Sequence, residues 1–484
     1  MRTPDRLEHA SGLRGFAPTA LANLLPLVGV LQLGWDPATL VVIYALELLC
    51  SFLFAGAKAL FAQRPPRTDR DEGTISVSSE LTEKRGSVKL VPWLPPIYPR
   101  NLPFATAVVV PAVCFVIMVG IVFFNAFGIS AAIVGPEVAA SVATLVVGQT
   151  LEIRRDYRRG SYETASPYAV VETPARQASF VAFVLFLTPW IGAAGADGAL
   201  AIVVLLKLLV EWSAHRVTTG DGERFTDWLA GPESAGEPRE PVRVPDGDPD
   251  VRIPTDERAV LYTGVLDVLG TRAPFLAMPF IVAWLLSLSA LPDAVSPAIA
   301  LGIGLLSIAL FVGYLAAEVL TFSLRYAALE YRRYGDRLVA YDTLVDEPQW
   351  ATSLDVLRDV EVVPDRLPDR LFGTRTIAVT AGWGDDERRR LLGPVRDGDA
   401  LVEALELPVQ STELEPLDRL PAAIVVGCLV GVVVAVGALA IGPWLSPGEL
   451  LLAALVYGMF GIPFAALALR SIWVRAYPDR RDRD

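Results

Sequence analysis

Several runs of 18 or more residues almost free of charge limit what this 484-residue chain can fold into. Each run is long enough to cross the hydrocarbon of a bilayer as a helix, and a buried core helix seldom needs that length. Hydrophobic residues make up 53% of the chain and its mean hydropathy is +0.44, too apolar for a soluble chain of this length. The runs predict ten spans, at about 16–33, 38–61, 104–127, 131–151, 178–194, 198–214, 274–291, 298–322, 422–441 and 448–474. The fold class to expect is an α-helical multi-span membrane protein of about ten transmembrane helices with a small cytoplasmic β-rich domain.

The charged stretches divide the runs. A six-helix transmembrane domain is expected over 1–215, with a Pro-rich cytoplasmic linker at 62–102. Residues 216–256 read as an acidic disordered cytoplasmic linker, because eleven acids between 220 and 257 face four arginines among prolines and glycines. Over 257–324 an interfacial helix precedes a helix pair: Leu261, Val265 and Val268 recur with Tyr262, Leu266 and Leu269 at helical spacing. A domain that folds in water is expected over 325–419, and a last helix pair with a short tail over 420–484.

Orientation follows from the short loops. Residues 34–37, 128–136, 195–198, 292–297 and 442–447 contain no Lys or Arg, whereas Arg154, Arg155, Arg158, Arg159, Arg216, Arg325, Arg332, Arg333, Arg470 and Arg475 stand at the opposite ends. The positive-inside rule then predicts a multi-pass cell-membrane protein with both termini in the cytoplasm. No cleaved leader is expected, since the first apolar run continues through Gly34-Trp-Asp-Pro37 into the second.

Charge and sulfur exclude some functions. The net charge is −12, and of 42 basic residues only Lys58, Lys84, Lys89 and Lys207 are lysines. This composition is similar to that of proteins from salt-loving archaea, although a GC-rich genome also replaces Lys by Arg. An acidic surface argues against nucleic acid as a partner. Cys50, Cys114 and Cys428 lie in apolar runs without ligand spacing and read as packing residues, and His9 and His215 are the only histidines. No metal or other cofactor is expected. Phosphate loops, nucleophile elbows and His-Glu zinc motifs are missing, so catalysis is not the expected role.

Within 325–419 the strand signals are dense. Leu338, Ala340 and Asp342 alternate with Val339, Tyr341 and Thr343, and Ile377, Val379 and Ala381 alternate with Thr376, Ala378 and Thr380. Asp397 is a candidate cap for a short helix ending near Glu406. The stretch Asp359-Val-Glu-Val-Val-Pro-Asp-Arg-Leu-Pro-Asp-Arg-Leu-Phe-Gly-Thr-Arg-Thr-Ile-Ala-Val379 resembles the bacterial PH-like domain, in which a strand, a connector ending in Leu-x-Gly and a second strand recur. The resemblance implies a small barrel closed by a C-terminal helix that binds protein, lipid or neighbouring helices. Asp385-Asp-Glu387 and the missing basic pocket depart from it, so phosphoinositide binding is not carried over.

Asn23-Leu-Leu-Pro26, Gly29, Trp35, Tyr44, Glu47, Lys207, Glu211 and His215 stand at spacings similar to an uncharacterised family of prokaryotic membrane proteins, over about 16–215. That family supplies no activity. Glu47, Lys207, Glu211 and Asn23 are candidates for an intramembrane polar site, since an unpaired charge at that depth costs on the order of 3 kcal/mol. A Glu47–Lys207 or Lys207–Glu211 pair would lower the cost and serve either a solute or the bundle itself. Two functions are therefore expected: a non-enzymatic membrane scaffold or sensor presenting the 325–419 module to a cytoplasmic protein partner, or a small-solute or ion transporter built on the first six helices. The lipid bilayer is a partner in both, and a homo-oligomer is compatible with either.

Overall fold

The computed structural model describes residues 37–66, 79–127, 136–186, 238–273, 297–364, 366–382, 387–409, 411–414, 418–441 and 461–474, with isolated positions between them. The chain divides into two compact units. The first takes residues 1–78, 104–238 and 286–292, and the second 79–103, 239–285 and 293–484.

The first unit is helical where it is described: α1 (Pro37–Leu60), α2 (Leu102–Phe127, whose first two residues belong to the other unit), α3 (Pro136–Arg158) and α4 (Pro167–Phe186). Phe52 and Ala59 of α1, Val108 and Ala112 of α2, and Val171 and Ala175 of α4 form its core. Gly56 permits the close approach of α1 and α2, because a Cβ there would stand 2.7 Å from Val109 Cγ2. The Phe104 and Tyr168 rings meet edge to face at 4.7 Å.

The second unit is built on two antiparallel sheets. One has four strands in the order β1 (Val251–Pro254), β2 (Leu329–Tyr334), β3 (Arg337–Asp342), β4 (Glu347–Ser353); the other has three in the order β5 (Leu357–Val362), β6 (Arg375–Ala381), β7 (Arg388–Val395). The alternation at 338–343 and 376–381 becomes β3 and β6. Tyr331, Leu338 and Ala340 from the first sheet, and Ile377, Val379, Leu392 and Val395 from the second, fill one core. Leu401 and Leu405, in and just after the short helix α8 (Gly398–Ala404), complete it. Asp397 caps α8 as its position predicts, accepting from the Ala400 N–H at 2.8 Å. The remaining helices are α5 (Glu257–Asp267), α6 (Pro297–Tyr326), α7 (Leu367–Phe372), α9 (Arg419–Ile441) and α10 (Ile462–Val474).

Three sequence expectations change. The ten-span fold class is overturned: among the described residues two helices are long and apolar enough to cross a membrane, Val42–Leu60 and Gly304–Tyr326. A long apolar run does not by itself fix a span, because the helix that forms need not start and stop where the run does. Helix α3 ends in Glu152, Arg154, Arg155 and Asp156, and α4 starts well before the expected span and takes in Glu172 and Arg176. At the C-terminal end, α10 as described runs 13 residues, Ile462–Val474. The expected spans at 16–33, 198–214 and 274–291 fall largely or wholly outside the described residues, as do parts of 178–194 and 448–474. The multi-pass orientation with cytoplasmic termini rests on the ten spans and goes with them. Two helices that could span a membrane remain, with 28% and 17% of their windows buried, and they point to membrane association. A core helix of a soluble domain would be mostly covered.

The two expected linkers also change. Residues 251–254, inside the stretch read as disordered, are strand β1, paired with β2 from Val251↔Arg333 to Pro254↔Glu330. Within the stretch read as a flexible linker, Ser79 caps a short 3-10 turn at Glu80–Glu83, and Val88 and Ile97 form an antiparallel bridge. Net charge and proline content describe what a segment does alone, and both segments borrow their order from the sheet they meet.

Candidate functional site

The chain passes from β1 into α5 and, later, from α6 into β2, and the two strands are neighbours in one sheet. The Thr255 hydroxyl lies 3.0 Å from the carbonyl oxygens of Tyr326, Ala327 and Leu329, and the Thr255 N–H donates to the Leu329 carbonyl at 3.0 Å. Entry and exit are therefore held at one point. Asp256 caps α5 through the Ala259 N–H at 2.9 Å, pairs with Arg396, and donates its own N–H to the Pro394 carbonyl at 2.8 Å. Burial raises the Asp256 carboxyl, but the Ala259 N–H and Arg396 outweigh it and hold the group below its usual range. One aspartate thus ties α5 to the far sheet. Tyr331 makes a second tie, its hydroxyl donating to the Leu391 carbonyl at 3.2 Å and accepting the Gly393 N–H at 3.0 Å.

Ion pairs ring this junction. Lys84 Nζ donates to Asp342 Oδ2 and to the Leu324 carbonyl near the end of α6; the two side chains are 4% and 0% exposed. The other Asp342 oxygen accepts the Leu344 and Val345 N–H groups at 3.0 and 3.2 Å. Burial pushes the Lys84 ammonium down, and Asp342 opposes that shift. Arg325 pairs with Glu80, Arg272 with Glu318 at 2.7 Å, and Arg470 with Asp267 at 3.5 Å. Next to Lys84, the Arg85 N–H donates to Gln349 Oε1 at 2.8 Å, and Arg239 donates to the Thr82 carbonyl at 3.0 Å. Arg100 is buried over the Tyr98 ring at 4.5 Å, and burial plus the like charge of Arg239 bring it down to about 10.

The apolar side of the junction is made by α5, α6 and α7. Ala259, Val260, Thr263 and Gly264 are the buried residues of α5, and a Cβ at Gly264 would stand 2.8 Å from Phe322 Cδ1 of α6. The opposite face carries Leu261 and Tyr262, both exposed, and the Tyr262 ring centroid is 5.0 Å from that of Phe372 in α7. A helix forms where the interfacial one is expected, with a different division of faces. The 3.6 period marks both of its apolar sides, and the tertiary structure decides which is covered. Asp369 pins α7 to the chain entering β6, accepting from Thr374 Oγ1 at 2.6 Å, and its burial raises its carboxyl against that bond.

Of the residues predicted for an intramembrane site, Glu47 lies half-buried on α1. Lys207, Glu211 and Asn23 lie outside the described residues. Among the described residues no group of three or more His, Cys, Asp or Glu could hold a metal ion. Sequence reasoning missed Lys84, Asp342 and Arg396. The available signal was Lys84 itself, one of four lysines in the chain and set directly after a capped acidic turn.

The family comparison concerns the other end of the chain. No curated protein and no solved structure matches the sequence. Residues 9–224 match a family model described as a family of unknown function (DUF6498), which fits the uncharacterised family expected for the N-terminal helices and is similar to this chain over those residues.

Proposed function

We propose that the protein is a membrane-associated, non-enzymatic scaffold or sensor that presents a PH-like interaction module. The observation that carries the reading is the second unit's topology: four strands and three strands around one core, closed by α8, with the apolar helix α6 inserted between β1 and β2. An insertion at that point holds the module against whatever α6 is embedded in. The ion pairs at its base and the Thr255 knot give the joint little freedom to swing. A rigid joint suits a module whose partner must be met at a fixed height above a membrane. The transporter reading leans on Glu47 together with residues outside the described set, and no observation favours it.

The test uses the full-length protein purified from native membranes in high salt. It is compared with full-length protein carrying Arg358→Glu and Arg389→Glu, which reverse two charges on the second sheet, where they pair with Glu387 and Glu361. The expected result is that both proteins resist alkaline extraction from membranes and that a stoichiometric partner of the parent is depleted in the variant. Release into the soluble fraction would remove the membrane part of the proposal. Identical co-purification from parent and variant would remove the recruitment part.

A further inference from the structure

Four large apolar side chains from two distant segments meet on the surface beside the end of α6. Leu371 and Phe372 form the last residues of α7, 66% and 38% exposed, and Leu261 and Tyr262 stand on the outer face of α5, 47% and 51% exposed. The Tyr262–Phe372 ring contact at 5.0 Å makes them one patch. Exposed leucines scattered singly call for no explanation, but a contiguous cluster at a rigid tip does. The tip is rigid because Gly373, at φ 66, stops α7 directly after Phe372, while Asp369 holds the helix from behind.

The position of the patch selects its occupant. Behind α5, Gly264 rests on Phe322, one turn before the end of the membrane-length helix Gly304–Tyr326. At the other end of α7, Leu367 packs against Val425 of α9 and Trp473 of α10. The patch therefore lies at the level where the apolar helices end. Helix α6 itself carries exposed apolar residues along its length, at Leu305, Leu306, Val312 and Leu320. Arginines stand near the patch in the chain. Arg258 is one turn before Tyr262 on α5, Arg366 directly precedes α7, and Arg370 directly precedes Leu371. Aromatic rings with adjacent arginines are the side chains that prefer the boundary between acyl chains and headgroups.

We infer that Leu371, Phe372, Leu261 and Tyr262 insert into the headgroup region of an anionic bilayer and fix the β module flat against the membrane. The inference rests on the membrane-associated reading above and adds a contact that the anchoring helices alone do not require. Insertion at two points, α6 and the α7 tip, leaves the module one orientation.

The experiment places a photocrosslinking benzophenone side chain singly at three positions of the full-length protein, reconstituted in vesicles of phosphatidylcholine with phosphatidylglycerol. The positions are Leu371, Val312 on the exposed side of α6, and Glu403, exposed on α8, which meets Arg333 at the end of β2 away from α6. All three are surface positions, so the fold is retained. Lipid adducts at position 371 should exceed those at 403 by about ten-fold and fall when phosphatidylglycerol is withdrawn. Adducts at 312 without an excess at 371 overturn the inference while leaving membrane association intact. No adducts at either 312 or 371 overturn the membrane reading as well. A protein adduct at 371, to a second copy or another chain, assigns the patch to a protein interface and also refutes the lipid contact.

Discussion

Replacing Lys84 by Met tests whether the segment after residue 78 belongs to the β module. The Lys84 and Asp342 side chains are 4% and 0% exposed, so Lys84→Met leaves a buried carboxylate with two backbone N–H partners and no counter-charge. Breaking a buried pair by removing one partner costs about 3–5 kcal/mol, because the remaining charge keeps its desolvation penalty without its attraction. Burial already works against the Lys84 ammonium, and its loss relieves that part. The lower end, about 3 kcal/mol, is therefore the expectation. For a unit of this size each kcal/mol moves the midpoint by about 2–4 °C, so thermal unfolding in detergent should fall by roughly 6–12 °C. Asp342→Asn in the Lys84→Met background keeps an oxygen for the two N–H donors and removes the stranded charge, so most of the loss should return. Pulse proteolysis of the full-length protein across a temperature series measures both. A fall of less than about 2 °C, which corresponds to no more than about 1 kcal/mol, would refute the reasoning. Residues 79–98 would then be the loose linker that their prolines suggest.

Two further substitutions probe the joint between helix and sheet. Asp256→Asn keeps the α5 cap but loses the Arg396 pair. The carboxyl lies below its usual value in the folded state, so its contribution is present above about pH 4 and lost as pH falls through the folded value. Melting curves of parent and variant should accordingly differ near neutrality and converge in acid; a difference that persists or grows in acid would contradict the assignment. Gly264→Val drives a branched side chain into Phe322, whose ring already lies 2.8 Å from the Cβ position, and should cost about 1–3 kcal/mol. A second change, Phe322→Leu, should recover part of it. Neutral behaviour of Gly264→Val would mean that α5 does not pack on α6.

Much of the second unit was legible because strand alternation and helix caps are local signals. The pattern at 338–343 and 376–381 is carried by neighbouring residues, and so is the Asp397 cap of α8. The helices at 37–60, 102–127 and 297–326 follow apolar runs in the same way. Counting every apolar run as a span overreached, since hydropathy averaged along a sequence does not register where a helix starts and stops. It also cuts α4 short at charges such as Glu172 and Arg176, which a folded helix can bury.

The junction was legible only in fragments. Asp256 and the apolar periodicity of 257–269 were visible, but nothing in them identified the covered face or foretold a contact with Leu371 and Phe372. Lys84 and Asp342 are separated by 258 residues, and no local pattern can pair a lone lysine with one aspartate among the many in an acidic chain. By itself the sequence determined what each short segment prefers: which residues alternate, which turn and which avoid water. Only the tertiary structure decided that a stretch rich in acids and prolines would serve as the first strand of a sheet, since that order comes from the partner strand β2. A strand's stability lies in cross-strand hydrogen bonds and buried neighbours, which its own residues do not encode.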